Sequence, residues 1–154
     1  MAIKSRIDSE ADSIEALFKK VEKIDDDELK SHWARYLCIR VAGLLENSIQ
    51  SMIVKYAKAR GSSEVSNFIE TKSRSLTNMN CEKISQCLGA FNKNWYDKFK
   101  TDFSSEGKEA IDSVVGNRHL IGHGGYSGLT YCRMKDYYGK IRSILSEIEG
   151  EFFS

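Results

Sequence analysis

The sequence predicts an all-α fold, an up-and-down bundle of about five to six helices, on three observations. There is no proline among the 154 residues, and helix interiors exclude proline whereas strands and loops use it. Apolar residues recur at three- and four-residue steps through most of the chain, the period of one helix face. Most of the 11 glycines lie in the second half and crowd between Gly122 and Gly128, where that period breaks. A chain of this length suits one domain, 1–154, with a real core. Its 41% hydrophobic and 29% charged residues are ordinary for a soluble globular protein.

The first helix is expected from about Ser9 to Ile24, capped by Asp8 or Ser9. Ile7, Ala11, Ile14, Leu17, Phe18, Val21 and Ile24 form its apolar stripe. The acidic run Asp25–Glu28 favours the positive end of a second helix. Leu29, Trp33, Leu37, Val41, Leu44, Leu45, Ile49, Met52, Ile53 and Tyr56 carry that helix to a stop near Gly61. It exceeds 30 residues, about 50 Å if unbroken, with Gly43 as a point of bending. Shorter helical patterns cover Ser63 to Ser73, Asn80 to Phe91 and Trp95 to Phe103. Trp95, Tyr96, Phe99 and Phe103 offer a platform for stacking on bases, although a stripe at this spacing is usually core. A further helix begins near Ser104 or Ser105, buries Ala110, Ile111, Val114 and Val115, and runs into Arg118. Thr130 caps a last helix that reaches about Phe152.

Net charge is +1, so the chain lacks the global basic field of a duplex binder. Locally, Asn117 to Arg142 holds Arg118, Arg133, Lys135, Lys140 and Arg142 against Asp136 alone, a +4 stretch. That patch suits brief contact with a single RNA strand, or is simply a solvated helix face. Cys38, Cys81, Cys87 and Cys132 include no C-x-x-C and no zinc-ribbon spacing. The start Met1-Ala2-Ile3-Lys4-Ser5-Arg6 has no apolar signal core, and no apolar run approaches the roughly 20 residues of a membrane span. The expectation is a cytoplasmic protein with reduced thiols, no membrane contact, no metal and no cofactor.

The most informative segment is Asn117-Arg118-His119-Leu120-Ile121-Gly122-His123-Gly124. Arginine holds a permanent planar charge matched to phosphate. Histidine exchanges a proton near neutral pH. Together they suffice for cutting a phosphodiester without a metal. Five steps along a straight helix rotate by about 140°, so Arg118 and His123 converge only if the helix ends between them. Gly122, in the left-handed conformation that ends helices, is expected to make that break. There is no phosphate-cradling P-loop, no G-x-S-x-G and no H-E-x-x-H.

Arg118, the polar His119, two apolar residues, Gly122 and then His123 resemble the R-x4-6-H signature of HEPN domains, most closely the RiboL-PSP type. The likeness covers essentially the whole chain: a helical domain of this size, a long early helix, and the motif before the final helix. It implies metal-independent endoribonuclease activity in a homodimer whose two motifs face each other across a cleft. Arg118 would then contact the scissile phosphate, and His123 would serve as general base or acid, leaving a 2′,3′-cyclic phosphate. Asn117, His119 and Tyr126 are the expected substrate-binding residues. Glu46, with Asn47, is expected either to reach into the cleft and position Arg118 or to form a polar edge of its helix. Relatives regulated by nucleotidyltransferase antitoxins carry a tyrosine two residues after the histidine. Here Gly125 stands there and Tyr126 follows, a departure from that pattern. Ser127 shares this loop, and His32 reads as a surface residue beside Trp33. The resemblance also implies a toxin–antitoxin or phage-defence setting, with RNA and an antitoxin or other defence protein as partners. The competing readings are a non-catalytic HEPN module that binds RNA or a protein partner, and a plain helical adaptor.

Overall fold

Helix starts are set by short polar side chains that take up the free N–H groups of a first turn. The computed structural model describes residues 5–125 and 127–154, and seven helices lie among them: α1 (Arg6–Glu22), α2 (Asp27–Arg60), α3 (Ser63–Ser73), α4 (Cys81–Phe91), α5 (Lys93–Asp102), α6 (Ser105–Gly122) and α7 (Tyr131–Phe152). Ser5, Asp26, Ser62, Asn80, Asn92, Ser104 and Thr130 cap them in turn. α1 begins three residues earlier than the expected start at about Ser9. Ser5 accepts from the Asp8 N–H at 3.1 Å while Asp8 reaches back to Ser5, a reciprocal capping box. The count is slightly higher than five to six, because each of the three short helical patterns between Ser63 and Phe103 forms a separate helix. Asn92, extended at φ −156°, ends α4 and caps α5 at once.

α2 is the central strut. It runs unbroken through Gly43 and packs against α1, α3, α6 and α7. Leu37, Cys38, Val41, Ala42, Leu44 and Leu45 are all buried, so apolar residues surround the helix rather than forming one stripe, the pattern of an interior helix. Its most apolar 18-residue window, with mean hydropathy 1.2, is by length and composition able to cross a membrane; 61% of that window is buried inside the bundle. The core therefore already uses this apolar surface.

α1 lies antiparallel to α2. α7 runs parallel to α2, with the Lys30 ammonium 4.9 Å above the Tyr131 ring at one end and Arg60 donating to the Ser154 carbonyl at 3.1 Å at the other. α6 approaches α7 closely where Gly107 faces Ile144, whose Cβ would stand 3.1 Å from any added Cβ. α4 and α5 pair with each other, and α4 touches α6.

The aromatic stripe of α5 is core and not a base platform. Phe99 and Phe103 are buried, and Trp95 lies against Phe152 with ring centroids 5.2 Å apart. Tyr96 is occupied at the surface, donating to Glu82 at 3.1 Å. The reason is tertiary: Phe152 at the end of α7 and Phe153, its C-cap, fold onto this face.

Candidate active site

α6 carries the motif, and its buried side explains where the motif points. Ala110, Ile111, Val114 and Val115 seat it in the core, and the next turn emerges at Arg118. Cys38 of α2 lies beneath, its thiol donating to the Val114 carbonyl at 3.4 Å. Burial pushes that thiol up to about 12, and the nearby Arg118 charge offsets this only in part. Cys38 is therefore a core residue and not a nucleophile at neutral pH.

The helix does not end between Arg118 and His123. α6 continues through Gly122, and His123 is its C-cap at φ −95°. The expected break at Gly122 falls instead at Gly124, with φ +74°. The Gly125 N–H bonds the Leu120 carbonyl at 2.9 Å and the Gly124 N–H bonds the Ile121 carbonyl at 3.1 Å, the paired closure of a Schellman motif. Gly125 is needed for closeness: a Cβ there would stand 2.4 Å from Leu120 Cδ1 and 3.1 Å from its carbonyl oxygen. The break comes after His123, so Arg118 and His123 keep roughly the 140° divergence of helical spacing.

Arg118 turns toward α2. Its guanidinium forms an ion pair and hydrogen bond with Glu46 Oε1, and the same oxygen accepts the Asn78 N–H at 2.8 Å. The Glu46 side chain is only 12% exposed and that of Arg118 33%. The carboxylate thus fixes one edge of the guanidinium, and a fork of five donors keeps others for a ligand. Glu46 stands where a positioning residue for Arg118 would stand. Asn47 does not: it donates to Glu10 of α1 at 3.2 Å. Asn78 could not be picked out from the sequence. Its φ of +51° suits asparagine better than most residues, and the Asn78-Met79-Asn80 run is the only local sign of a tight turn.

His119 and His123 meet on the outer face. Their ring centroids are 4.4 Å apart, and both residues are exposed. Asn117 is occupied internally. It donates to the Ser113 carbonyl at 2.7 Å and accepts from the buried Ser127 hydroxyl at 2.6 Å. Asn117 thus ties the loop to α6, and Ser127 is part of that clasp. Tyr126 lies outside the described residues. His32 is exposed, 3.0 Å from Arg35 through Nδ1.

Three of the five cations in the +4 stretch are neutralised: Arg118 by Glu46, Lys135 by Glu22 at 3.1 Å, and Lys140 by Asp136 at 2.9 Å. Among the described residues no group of three or more His, Cys, Asp and Glu side chains is placed to hold a metal. Among the described residues, Arg118, His119 and His123 line none of the main concavities. A concavity of about 570 Å³ opens between the start of α1, the middle of α2 and the end of α7, away from the motif. The Arg/His segment lies at a helix end, with His119 and His123 exposed and Arg118 partly so.

The RiboL-PSP-HEPN family model matches residues 5–153. No curated protein and no solved structure matches the chain.

Proposed function

The chain belongs to the RiboL-PSP-HEPN family, and on that premise we propose that it is a metal-independent endoribonuclease acting through Arg118 and His123. The observation that carries the reading is the state of the two side chains. Arg118 is held at one edge by Glu46 yet a third exposed, while His123 ends α6 with an exposed ring. A permanent cation fixed in place and a free imidazole are the two parts that phosphodiester transfer needs.

The chemistry runs without a metal. The 2′-oxygen of the RNA attacks the adjacent phosphorus as its proton passes to a base. The bond from phosphorus to the 5′-oxygen breaks, and that oxygen takes up a proton. The products are a 2′,3′-cyclic phosphate and a 5′-hydroxyl. His123 serves as base or acid, and Arg118 stabilises charge on the non-bridging oxygens. His119, packed on His123, orients the ring or the substrate. Arg118 and His123 diverge around α6, which favours a homodimer in which two facing motifs build the cleft from both copies. A toxin–antitoxin or phage-defence setting, in the cytoplasm and under a partner's restraint, fits such an activity.

The test is incubation of total RNA with the purified chain in EDTA, beside His123→Ala and Arg118→Ala. Cleavage with cyclic-phosphate ends that both substitutions abolish supports the proposal. Salt-sensitive RNA binding with no product would replace it with a non-catalytic binding module. The pairing of three of the five local cations predicts that such binding is weak.

A further inference from the structure

We propose that His119 and His123 form a two-imidazole chelate for a borderline divalent cation of the Ni²⁺, Cu²⁺ or Zn²⁺ class, and that filling it switches the site off. The chelate stands on the geometry alone, whereas the switch rests on the nuclease reading above.

Histidines four apart share a helix face only while the helix is intact. It is intact here: the His123 N–H bonds the His119 carbonyl at 3.1 Å, and the left-handed residue comes one position later, at Gly124. A break at Gly122 would have swung His123 away from His119. Instead the ring centroids stand 4.4 Å apart. Two nitrogens bound to one such ion at about 2.0–2.1 Å each lie about 3 Å from one another, within reach of a small side-chain rotation. The same four-residue step supplies two zinc ligands on one helix face in metalloproteases.

Two further features favour occupancy. Both imidazoles are exposed, and neither ring nitrogen makes a hydrogen bond among the described residues, so no partner must be displaced. The cation that precedes His119 in the chain, Arg118, is paired with Glu46, which reduces its repulsion of an incoming ion. Imidazole selects Ni²⁺, Cu²⁺ and Zn²⁺ over Mg²⁺ and Ca²⁺, and water completes the coordination shell. A bound ion takes the lone pair that His123 would use to accept a proton, so a loaded chelate neither gives nor receives one.

The experiment is calorimetric titration of the tag-free full chain with NiCl₂. A Cys132→Ser background removes the exposed thiol, and helicity is checked by circular dichroism. His119→Gln and His123→Gln should each weaken binding about tenfold or more, because each leaves a single imidazole without its tethered neighbour. MgCl₂ should give no binding. Equal Ni²⁺ affinity in His119→Gln and its parent, or no binding by the parent, overturns the chelate. In a second arm, RNA cleavage by the parent should fall as NiCl₂ saturates the site and return with EDTA. Cleavage that persists at saturation overturns the switch while the chelate stands. An absence of cleavage under every condition refutes the nuclease reading and the switch with it, and the calorimetry still decides the chelate.

Discussion

Arg118 of α6 and Glu46 of α2 are 72 residues apart in the chain and joined as an ion pair at the root of the motif. The shared carboxylate oxygen also accepts the Asn78 N–H, so one side chain connects α2, α6 and the turn before α4. Removing it leaves a part-buried cation and a backbone donor unpaired together. Glu46→Ala should destabilise the chain by about 1–3 kcal/mol, read from urea unfolding midpoints. Glu46→Gln should cost less, because its amide oxygen still accepts from Asn78. An unchanged midpoint for Glu46→Ala would show that the pair contributes nothing.

Asn78 is the one non-glycine with positive φ among the described residues, and its N–H faces Glu46. The left-handed conformation costs a typical L-residue about 1–2 kcal/mol. Asn78→Gly should therefore leave stability nearly unchanged, while Asn78→Val should lose about that amount and release the Glu46 carboxylate. Nuclease activity, if measured alongside, should follow the same order. Equal thermal midpoints for the glycine and valine variants would contradict this account of the turn.

Two glycines of α6 should respond oppositely to alanine. Gly107 faces Ile144 Cβ at 3.1 Å from an added Cβ, whereas an added Cβ at Gly116 meets nothing within 4 Å. Gly116→Ala should stabilise by about 0.5–1 kcal/mol through helix propensity. Gly107→Ala should destabilise, since a crowded core costs about 1–3 kcal/mol and exceeds the propensity gain. Thermal melts of the two variants decide it, and a stabilised Gly107→Ala would show that α7 gives way at this contact.

Three thiols make stability fall in alkali. Burial pushes Cys38 and Cys81 up to about 12 and Cys87 to about 11, from an ordinary value of 9.0. The folded chain then holds these protons more tightly than the unfolded chain. Their contribution is complete below about pH 9 and is lost as pH rises toward 11–12. Urea midpoints measured from pH 8 to 11 should decline, and Cys38→Ala should flatten part of that decline. A maleimide probe at pH 7.5 should label exposed Cys132 at once and Cys38 only on unfolding.

Much of the architecture was legible because helices are local. Ser63–Ser73 matches the apolar pattern to the residue, and Thr130 caps α7 as its position suggests. The start of α1 differs because Asp8 and Ser9 are themselves capping residue types, whereas Asp8 serves as the third helical residue that closes a box with Ser5. The aromatics of α5 were ambiguous for a different reason. A stripe shows that a face is apolar but not what covers it, and the cover, Phe152 and Phe153, comes from the far end of the chain.

By itself, the sequence determined the helical class, the central apolar helix and the Arg/His segment before the last helix. Periodicity, proline content and residue type are all expressed within a few turns of the chain. Tertiary structure alone decided that Glu46 rather than Asn47 meets Arg118, that Asn117 clasps Ser127, and that His119 and His123 share one face. The first depends on how α2 is rotated beneath α6. The others depend on the helix persisting to His123 before Gly124 turns it. Packing sets such rotations and endpoints over distances that no local pattern encodes.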